Sequence, residues 1–464
     1  MSTSKLETVI VTELPYLEDS YLYFNQVKDL DWPIWLDSCC DQQAHNEHAR
    51  YDIISANPSH KIIANSDECH SISTADNKTT PFDDCWSAIE QLSPQTHQAS
   101  KLPFSGGALG YLGYEAGHRA SKFNHDKASC DIPLALIGIY HWAVIQDHQQ
   151  KTCTLIQRNN HSDAFATKLK QLFADNNNHK PKTPLTPFKA SRFTGNTSKD
   201  DYLDQLAKIQ GYILDGDCYQ ANLTQRFEAH FQGDPLDGYL RLRSQLPSPF
   251  SCYFKTEFGS IMSHSPERFI ACRDDQVTAQ PIKGTVRRGK TQKEDQALAE
   301  SLKNSQKNRA ENLMIVDLLR NDLSQCCESN SVKTPKLFNL ESYPNVHHLV
   351  STITGTLKPN QTSLSLLRSC FPGGSITGAP KIRAMEIIEE LESARRSLYC
   401  GSIGYLSFDG QMDTNIAIRT AATHKDQVFV WGGGGIVADS IAEEEYEESL
   451  LKIRKILEGL SSSH

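Results

Sequence analysis

The sequence predicts an α+β fold in which antiparallel sheets carry helices on their outer sides. β-rich segments alternate with amphipathic helices in the second half of the chain, at about residues 295–322, 362–370, 380–396 and 440–460. No repeat of 20–50 residues is visible, which excludes solenoids and propellers. The 464 residues, 38% of them hydrophobic, suffice for a large core without metal or disulfide cross-links.

The chain divides into two parts of different composition. Residues 1–175 combine short strand-like segments with polar loops, and residues 136–145 are predicted to form a strand. Residues 176–198 contain consecutive asparagines and several prolines, which is typical of a linker. Ser198 then precedes apolar residues at helical spacing, so a helix begins there. The predicted organisation is an N-terminal region, a linker and a C-terminal domain over residues 199–464.

Charge and composition exclude several classes of protein. The formal charge of −9 argues against a nucleic-acid partner, which would require a basic surface. No apolar run is long enough for a membrane helix, and acidic residues interrupt the N-terminal segment where a signal peptide would be apolar. The 13 cysteines include no Cys-x-x-Cys pair, which argues against a zinc site or a disulfide framework. We therefore expect a cytoplasmic protein with reduced thiols, without a membrane segment.

Lys283 stands in a segment that suits a nucleophile. Strand-like runs flank residues 274–276, and a hairpin loop centred on Asp275 would set Glu267 opposite Lys283. A carboxylate beside an amine, followed by a glycine that lets a ligand approach the backbone, is an arrangement found around nucleophilic lysines. From spacing alone, a structural ion pair across two strands is the favoured explanation.

Glutamates on two predicted helices are the next candidates. Glu311 shares a helix face with Met314 and Leu318, where an unpaired charge would be costly. A buried ion pair with an arginine and a functional partner, a metal or a substrate, are equal alternatives. Near the C-terminus, Glu445 and Glu448 lie off the apolar side of their helix, and periodicity alone predicts a solvated acidic surface.

Two glycine-rich segments and one arginine are candidates for ligand binding. Residues 373–381 resemble a phosphate loop, but Ala379 and Pro380 follow Gly378 where a P-loop requires Lys and Ser or Thr. The segment instead predicts a loop leading into a helix whose first amides can bind an anion. Residues 432–435 are four glycines after a strand, which indicates close approach of another group. Arg419 can bind a carboxylate in a bidentate manner.

Six motifs occur in the order known from one enzyme family. They are DCYQANL at 217–223, SPERF at 265–269, PIKGT at 281–285, ENLMIVDLLRND at 311–322, TGAPK at 377–381 and GGGIVADS at 433–440. The series resembles the chorismate-utilising enzymes, which comprise anthranilate, isochorismate, salicylate and aminodeoxychorismate synthases. The resemblance is strong over about residues 200–460 and weaker before them. It implies two packed, mainly antiparallel sheets in a β-sandwich-like arrangement, with helices outside, intertwined as one large fold with a chorismate-binding catalytic domain.

Two positions distinguish branches of this family. Anthranilate and isochorismate enzymes have alanine where this chain has Lys283, whereas aminodeoxychorismate enzymes have lysine. Members that add water to chorismate carry a lysine base where this chain has Gln220. The resemblance therefore implies amination of chorismate to 4-amino-4-deoxychorismate, for p-aminobenzoate and folate, through a covalent Lys283 adduct with Glu267 as the acid. The alternatives are anthranilate synthesis and a non-catalytic tryptophan-binding subunit.

The resemblance also implies the binding residues. Glu311 and Glu448 match the magnesium ligands of the family, with Glu445 adjacent, so Mg²⁺ is the expected cofactor. His348 matches a catalytic histidine of the anthranilate enzymes, although the neighbouring His347 leaves this assignment open. The residues that match chorismate-binding positions are Gln220, Gly284, Thr285, Thr377, Tyr405, Arg419, Gly433 and Gly435.

Two partners follow from the same resemblance. No Gly-x-Cys-x-Gly segment, typical of glutaminase nucleophiles, surrounds any cysteine. The resemblance thus implies a separate glutaminase subunit that supplies ammonia, with free ammonia as an inferior substitute. It further implies a pocket for tryptophan, in a structural or a regulatory role. The matching residues are Ser38, His48, Ala49, Arg50, Tyr51, Pro249, Phe250 and Ser251.

Overall fold

A computed structural model describes most of the chain. The described residues are 9–40, 48–95, 101–117, 127–158, 167, 169, 171–173, 184–343 and 346–461. Residues 176–183 of the predicted linker lie outside them, and the division into domains stays a prediction. In the described parts, no helix has the length and hydrophobicity needed to span a membrane. All 13 cysteines are described, and none of them is part of a disulfide.

Two large sheets of antiparallel strand pairs form the framework of the fold. In spatial order, the first sheet contains Val9–Leu14, Thr152–Arg158, Trp142–Asp147, Tyr51–Ser55, Ile34–Asp37, Phe250–Thr256, Gly259–Ser265, Thr420–His424, Gln427–Ile436, Gln220–Gln232 and Lys189–Ala190, with Thr194–Gly195 and Gly378–Ala379 also paired to Gln220–Gln232. The second contains Ile282–Arg287, Val346–Thr356, Gln276–Ala279, Arg268–Arg273, Met412–Asn415, Ser402–Ser407, Gly107–Leu112, Ala135–Tyr140, His60–Ala64, Cys69–Ser73 and Thr79–Phe82, with Lys333–Ser342 also paired to Val346–Thr356.

Each sheet contains strands from both halves of the chain. One buried hydrophobic cluster joins Ile53 of the first sheet to Ile137 of the second, so the two sheets share a core. The predicted α+β fold, with two mainly antiparallel sheets intertwined in one unit, is confirmed. The α-helices described are Tyr21–Val27, Cys85–Leu92, Lys199–Leu214, Pro235–Gln245, Gln292–Asn304, Gln306–Cys326, Ser363–Cys370, Lys381–Leu391 and Ala442–Leu460.

The helix predictions hold where the signals are local. The Ser198 hydroxyl accepts a hydrogen bond from the Asp201 N–H and caps the helix that follows, as predicted. The segment expected to be helical over 295–322 is two helices, because the chain turns at Ser305, whose hydroxyl accepts from the Asn308 N–H and caps the second helix.

Two strand predictions were wrong in detail. Residues 136–145 form two strands, because the chain leaves the second sheet and enters the first at His141. The predicted hairpin has a two-residue loop of Asp274 and Asp275, both with positive φ, which is the geometry of a tight hairpin turn. The pairing is therefore shifted by one residue, and the strand that carries Lys283 pairs elsewhere, with Val346–Thr356.

Candidate active site

Lys283 lies on the Ile282–Arg287 strand, next to the helix that contains Glu311. Within the described residues its amine makes no hydrogen bond and no ion pair. Burial lowers the pKa of Lys283, and the Lys452 charge lowers it further, against the opposing effects of Glu311, Glu267 and Glu448. A lowered pKa increases the neutral fraction of the amine, which is the nucleophilic form.

Glu267 lies where the chain crosses from the first sheet to the second, and it is only 5% exposed. Burial raises the pKa of Glu267 to about 7, although the Ser375 hydroxyl, the Lys283 charge and the Ile282 N–H favour the ionised form. A carboxyl group with this pKa is protonated in part near neutrality and can donate a proton. The charges of Glu267 and Lys283 thus act on each other, although the two residues are not paired across neighbouring strands as the predicted register required.

Three carboxylates, Glu311, Glu445 and Glu448, form the acidic side of the site. Burial raises the pKa of Glu311, and the charges of the other two raise it further. Glu445 is 5% exposed and accepts hydrogen bonds from Lys307 Nζ at 3.3 Å and Ser440 Oγ at 2.7 Å. The periodicity-based prediction of a solvated Glu445 was therefore wrong.

The Gly432–Gly435 backbone explains why Glu445 is buried. A Cβ on Gly432 would lie 2.6 Å from the Ser449 carbonyl oxygen, so only glycine lets the C-terminal helix approach this strand. A Cβ on Gly434 would lie 3.5 Å from Glu445 Oε2 and 3.9 Å from Glu448 Oε1. The helix thereby turns both carboxylates toward the glycine strand. The glycine run has the role that the sequence suggested: it admits neighbouring groups.

The three carboxylates provide a suitable donor set for magnesium, since Mg²⁺ prefers carboxylate oxygens. Among the described residues, no three His, Cys, Asp or Glu side chains form a ready-made metal site. Two lysines instead neutralise the carboxylates: Lys307 pairs with Glu445, and Lys452 Nζ lies 2.8 Å from a Glu448 oxygen. Burial and, to a smaller extent, the charges of Glu445 and Glu448 raise the pKa of Glu311, and a bound cation would offset this repulsion.

Gln220 is fully buried at the start of its strand, and both atoms of its amide group lack a hydrogen-bond partner among the described residues. A Cβ on Gly435 would lie 2.9 Å from Gln220 Nε2, so this amide packs against the glycine run. Thr377 is also buried, and its carbonyl accepts from the Asn222 N–H. An unpaired buried amide is costly, which points to a ligand that completes its hydrogen bonds.

Gly284 and Thr285 follow Lys283 on the same strand. Gly284 has φ +94°, and a Cβ there would lie 2.9 Å from Leu302 Cδ1, so other residues are disfavoured. The Thr285 hydroxyl is 2.8 Å from His348 Nδ1. Burial lowers the pKa of His348 to about 3, and the Arg419 charge adds to this effect, so the imidazole is neutral at pH 7.

The structure distinguishes the two adjacent histidines. His347 Nε2 lies 3.0 Å from Asp295 Oδ1, and its Nδ1 lies 2.8 Å from Ser342 Oγ. His348 points to the other face of the strand, where it contacts Thr285 and the Tyr343 ring. Of the two, only His348 has Thr285 as a hydrogen-bond partner.

Arg419 has φ +49° and makes no side-chain hydrogen bond or ion pair within the described part of the chain. Burial lowers the pKa of this guanidinium, whereas the Glu267 charge raises it. A part-buried guanidinium without a carboxylate partner suits the bidentate binding of an anionic ligand.

A cavity of about 330 Å³ brings together most of the residues predicted for tryptophan. Six of the eight line it: His48, Arg50, Tyr51, Pro249, Phe250 and Ser251. Ser38 instead donates its N–H and hydroxyl to Asp52, and Ala49 is not among the described lining residues. Tyr405 lines this cavity, so its contact with chorismate stays a prediction.

Three polar residues at the site were missed by the sequence analysis. Lys307 and Lys452 neutralise Glu445 and Glu448, and Ser375 donates a hydrogen bond to Glu267. The i, i+4 spacing of Glu448 and Lys452 was a visible signal, whereas no local pattern indicates the contacts of Lys307 and Ser375, which join distant segments.

Comparison with known proteins identifies the family of the chain. The family model described as chorismate binding enzyme matches residues 33–458. Aminodeoxychorismate synthase component 1 of Escherichia coli is 42% identical over 98% of this chain and 99% of that protein. Anthranilate synthase component 1 of Lactococcus lactis is 34% identical over 89% of this chain and 91% of that protein.

A solved structure extends the likeness to three dimensions. Anthranilate synthase component I from Streptococcus pneumoniae superposes with a TM-score of 0.76 at 30% identity, covering 89% of this chain and 93% of that one. Because the family model covers most of the chain and the relatives align along nearly its whole length, the chain belongs to the family of chorismate binding enzymes.

Proposed function

We propose that this protein is component 1 of an aminodeoxychorismate synthase and converts chorismate and ammonia to 4-amino-4-deoxychorismate. One observation carries the proposal: the amine of Lys283 has a lowered pKa, no hydrogen bond or ion pair among the described residues, and Glu267 and Glu311 as charged neighbours. The whole-length similarity to a component 1 from Escherichia coli supports the same activity.

The proposed reaction has two substitution steps. Lys283 Nζ attacks C2 of chorismate, the ring double bond shifts, and the bond from C4 to its oxygen breaks. Glu267 donates a proton to that oxygen, so it leaves as water. Ammonia then attacks C4, the double bond shifts back, and the bond from C2 to Lys283 breaks. The two steps exchange the C4 hydroxyl for an amino group.

Several side chains would hold the dianionic substrate. Arg419 and the amides of Gly433 and Gly435 are proposed to bind one carboxylate. Gln220 would complete its missing hydrogen bonds on the substrate, and neutral His348 would donate or accept one through its Nε2. Gly284, Thr285 and Thr377 are proposed to form the remaining wall, and Tyr405 is kept as a proposed contact.

Glu311 and Glu448 are proposed to hold Mg²⁺, with Glu445 beside them. When bound, this ion would offset the charge of the ring carboxylate. Lys307 and Lys452, which now pair with Glu445 and Glu448, would have to move or share these oxygens. The proposal thus predicts competition between the lysines and the cation for the same carboxylates.

The partner and ligand assignments are part of the same proposal. A separate glutaminase subunit would supply ammonia, and the product would lead to p-aminobenzoate and folate. The 330 Å³ cavity is proposed to bind tryptophan, because it has the volume of a small-molecule site and combines the aromatic ring of Phe250 with the charges of Arg268 and Asp413. A cytoplasmic location remains a prediction.

Product analysis tests the proposed activity. The purified chain is incubated with chorismate, Mg²⁺ and ammonium chloride, and the products are separated and identified by mass. We expect 4-amino-4-deoxychorismate as the main product. Anthranilate as the main product would contradict the proposal in favour of anthranilate synthesis, and absence of turnover with and without a glutaminase subunit would favour a non-catalytic role.

A further inference from the structure

We propose that Ser375 is a positioning residue that fixes the acid proton of Glu267 on one oxygen, Oε2. This inference rests on the proposed function, in which Glu267 is the acid. The Ser375 hydroxyl donates a hydrogen bond to Glu267 Oε1 at 2.8 Å. Both side chains are buried, at 8% and 5% exposed, so bulk water does not compete strongly for this contact.

The glycine-rich loop before Thr377 presents this hydroxyl. A Cβ on Gly374 would lie 2.5 Å from Leu318 Cδ2, and one on Gly373 would lie 2.7 Å from Ile416 Cδ1, so the turn packs tightly against a helix and against the segment that follows the Met412–Asn415 strand. The Thr377 hydroxyl donates to the Gly373 carbonyl at 2.9 Å. The segment that resembles a phosphate loop therefore has a different role, because its packing directs a serine at a carboxyl group.

Arg396 holds the same turn from the other side. Its guanidinium is 2% exposed and donates to the Ile376 carbonyl at 2.8 Å and to the Asn222 carbonyl at 2.8 Å. Its Nε and Nη2 also donate to the carboxylate of Glu392. The main chain on the C-terminal side of Ser375 is thus anchored to the strand that carries Gln220. This anchoring restricts the directions in which the hydroxyl can point.

The chemical consequence concerns the two oxygens of Glu267. An oxygen that accepts a hydrogen bond from a hydroxyl acts as the carbonyl oxygen of a neutral carboxylic acid, which leaves the proton on the other oxygen. The Oε2–H bond then breaks as the proton moves to the departing C4 oxygen of chorismate. The carboxylate that remains keeps the Ser375 hydrogen bond, which stabilises its charge.

Other groups also act on this carboxyl group. Lys283 and Arg419 favour its ionised form through their charges, and the Ile282 N–H favours it as well. Burial raises the pKa of the Cys400 thiol, and the Glu267 charge adds to this effect. None of these four groups is altered by a substitution at Ser375, so a change in pH dependence after such a substitution reports the lost hydroxyl.

Three variants test the inference: Ser375→Ala, Ser375→Thr, which keeps the hydroxyl, and Ser407→Ala as a matched control. Ser407 is a fully buried serine that is hydrogen bonded to Ser105. Ser407 is remote from Glu267 in the sequence and shares no hydrogen bond with it. The measurement is the pH profile of kcat for chorismate amination with ammonia, together with KM for chorismate.

For Ser375→Ala we expect kcat to fall about tenfold or more, with KM changed less than twofold. In the pH profile of kcat, the alkaline limb should move to higher pH by about one unit. The limb moves upward because the lost hydrogen bond favoured the ionised form. Ser375→Thr and Ser407→Ala should keep the wild-type limb. An unchanged limb in Ser375→Ala, or the same shift in Ser375→Thr, would overturn the inference.

Glu267→Gln separates this inference from the proposed function. If Glu267→Gln is inactive and Ser375→Ala behaves as wild type, only the role of Ser375 is refuted. If Glu267→Gln retains full amination, Glu267 is not the acid, and both the mechanism proposed above and the inference about Ser375 fail.

Discussion

Lys381 Nζ lies 2.6 Å from Asp322 Oδ2, and this buried ion pair joins two of the family motifs. Asp322 belongs to the helix that carries Glu311, and Lys381 begins the helix after the Ser375 turn. The Lys381 amine also donates to the Cys370 carbonyl at 2.8 Å. The pair therefore holds the acidic side of the site in a fixed position relative to the glycine-rich loop.

Removing Lys381 should destabilise the protein. Lys381→Met leaves the Asp322 carboxylate buried without its partner, which costs about 3–5 kcal/mol. Arg320→Ala is the matched control, because it breaks an exposed pair with Asp317 and should cost about 0–1 kcal/mol. Urea denaturation followed by circular dichroism checks both. Equal stabilities of the two variants would contradict the structural role of the buried pair.

Substitutions of two neighbouring glycines in the Gly432–Gly435 run should cause two different kinetic defects. Gly434→Ala places a methyl group in ordinary contact with Glu445 and Glu448, so we expect normal folding but a severalfold higher Mg²⁺ concentration for half-maximal activity. Gly435→Ala places its methyl group against the amide of Gln220 and should instead raise KM for chorismate. Steady-state kinetics with varied Mg²⁺ and varied chorismate distinguish the two. Identical kinetic defects in both variants would contradict the assignment.

The raised pKa of Glu267 implies that this carboxyl group lowers the stability of the folded protein at high pH, although the proposed reaction requires it. Its folded-state pKa of about 7 lies above its usual 4.5, so the folded protein binds more protons than the unfolded chain between these values. This contribution to stability therefore decreases as the pH rises from about 4.5 to 7. Glu267→Gln should be more stable than wild type at pH 8, by on the order of 3 kcal/mol, and similar at pH 4.5.

Thermal unfolding at the two pH values checks this prediction, together with the amination assay. The variant should gain stability at pH 8 and lose activity. A variant that is less stable than wild type at pH 8 would show that burial does not disfavour the Glu267 carboxylate.

Tryptophan binding in the cavity should stabilise the protein against heat in the absence of chorismate. Ala271 lines it, and Ala271→Phe would place a phenyl ring inside the cavity, where it would obstruct the proposed ligand. We expect L-tryptophan to raise the thermal midpoint of the wild-type protein and to leave that of Ala271→Phe unchanged. Ala297→Phe, at an exposed helical position, serves as the control and should respond like wild type. A tryptophan response retained in Ala271→Phe would contradict binding in this cavity.

The elements that could be predicted from the sequence are those whose signals lie within a few neighbouring residues. The helix after Ser198 was predictable because its cap and its apolar spacing lie within a few residues of each other. The split of residues 136–145 was not, because an uninterrupted apolar run does not show where a chain changes sheets. The shift of the hairpin pairing has the same origin, since a two-residue and a three-residue loop fit the same sequence.

In the candidate site, the features that could not be predicted also depend on residues far apart in the sequence. The burial of Glu445 depends on glycines in another element, which periodicity along one helix cannot register. The roles of Lys307 and Ser375 depend on contacts across more than a hundred residues of sequence. Lys283 and Glu267 were identified through motifs and resemblance, although the register that first paired them was wrong.

A covalent adduct on Lys283 is the central claim, and intact-mass analysis tests it most directly. The protein is incubated with chorismate and Mg²⁺ without ammonia, and is then quenched and digested to locate the modified peptide. Lys283→Ala is compared with Lys255→Ala, which removes an exposed lysine. We predict a mass increase of chorismate minus water on the Lys283 peptide of wild type and of Lys255→Ala, and neither adduct nor amination in Lys283→Ala. An unmodified wild-type protein, together with full amination by Lys283→Ala, would contradict the account.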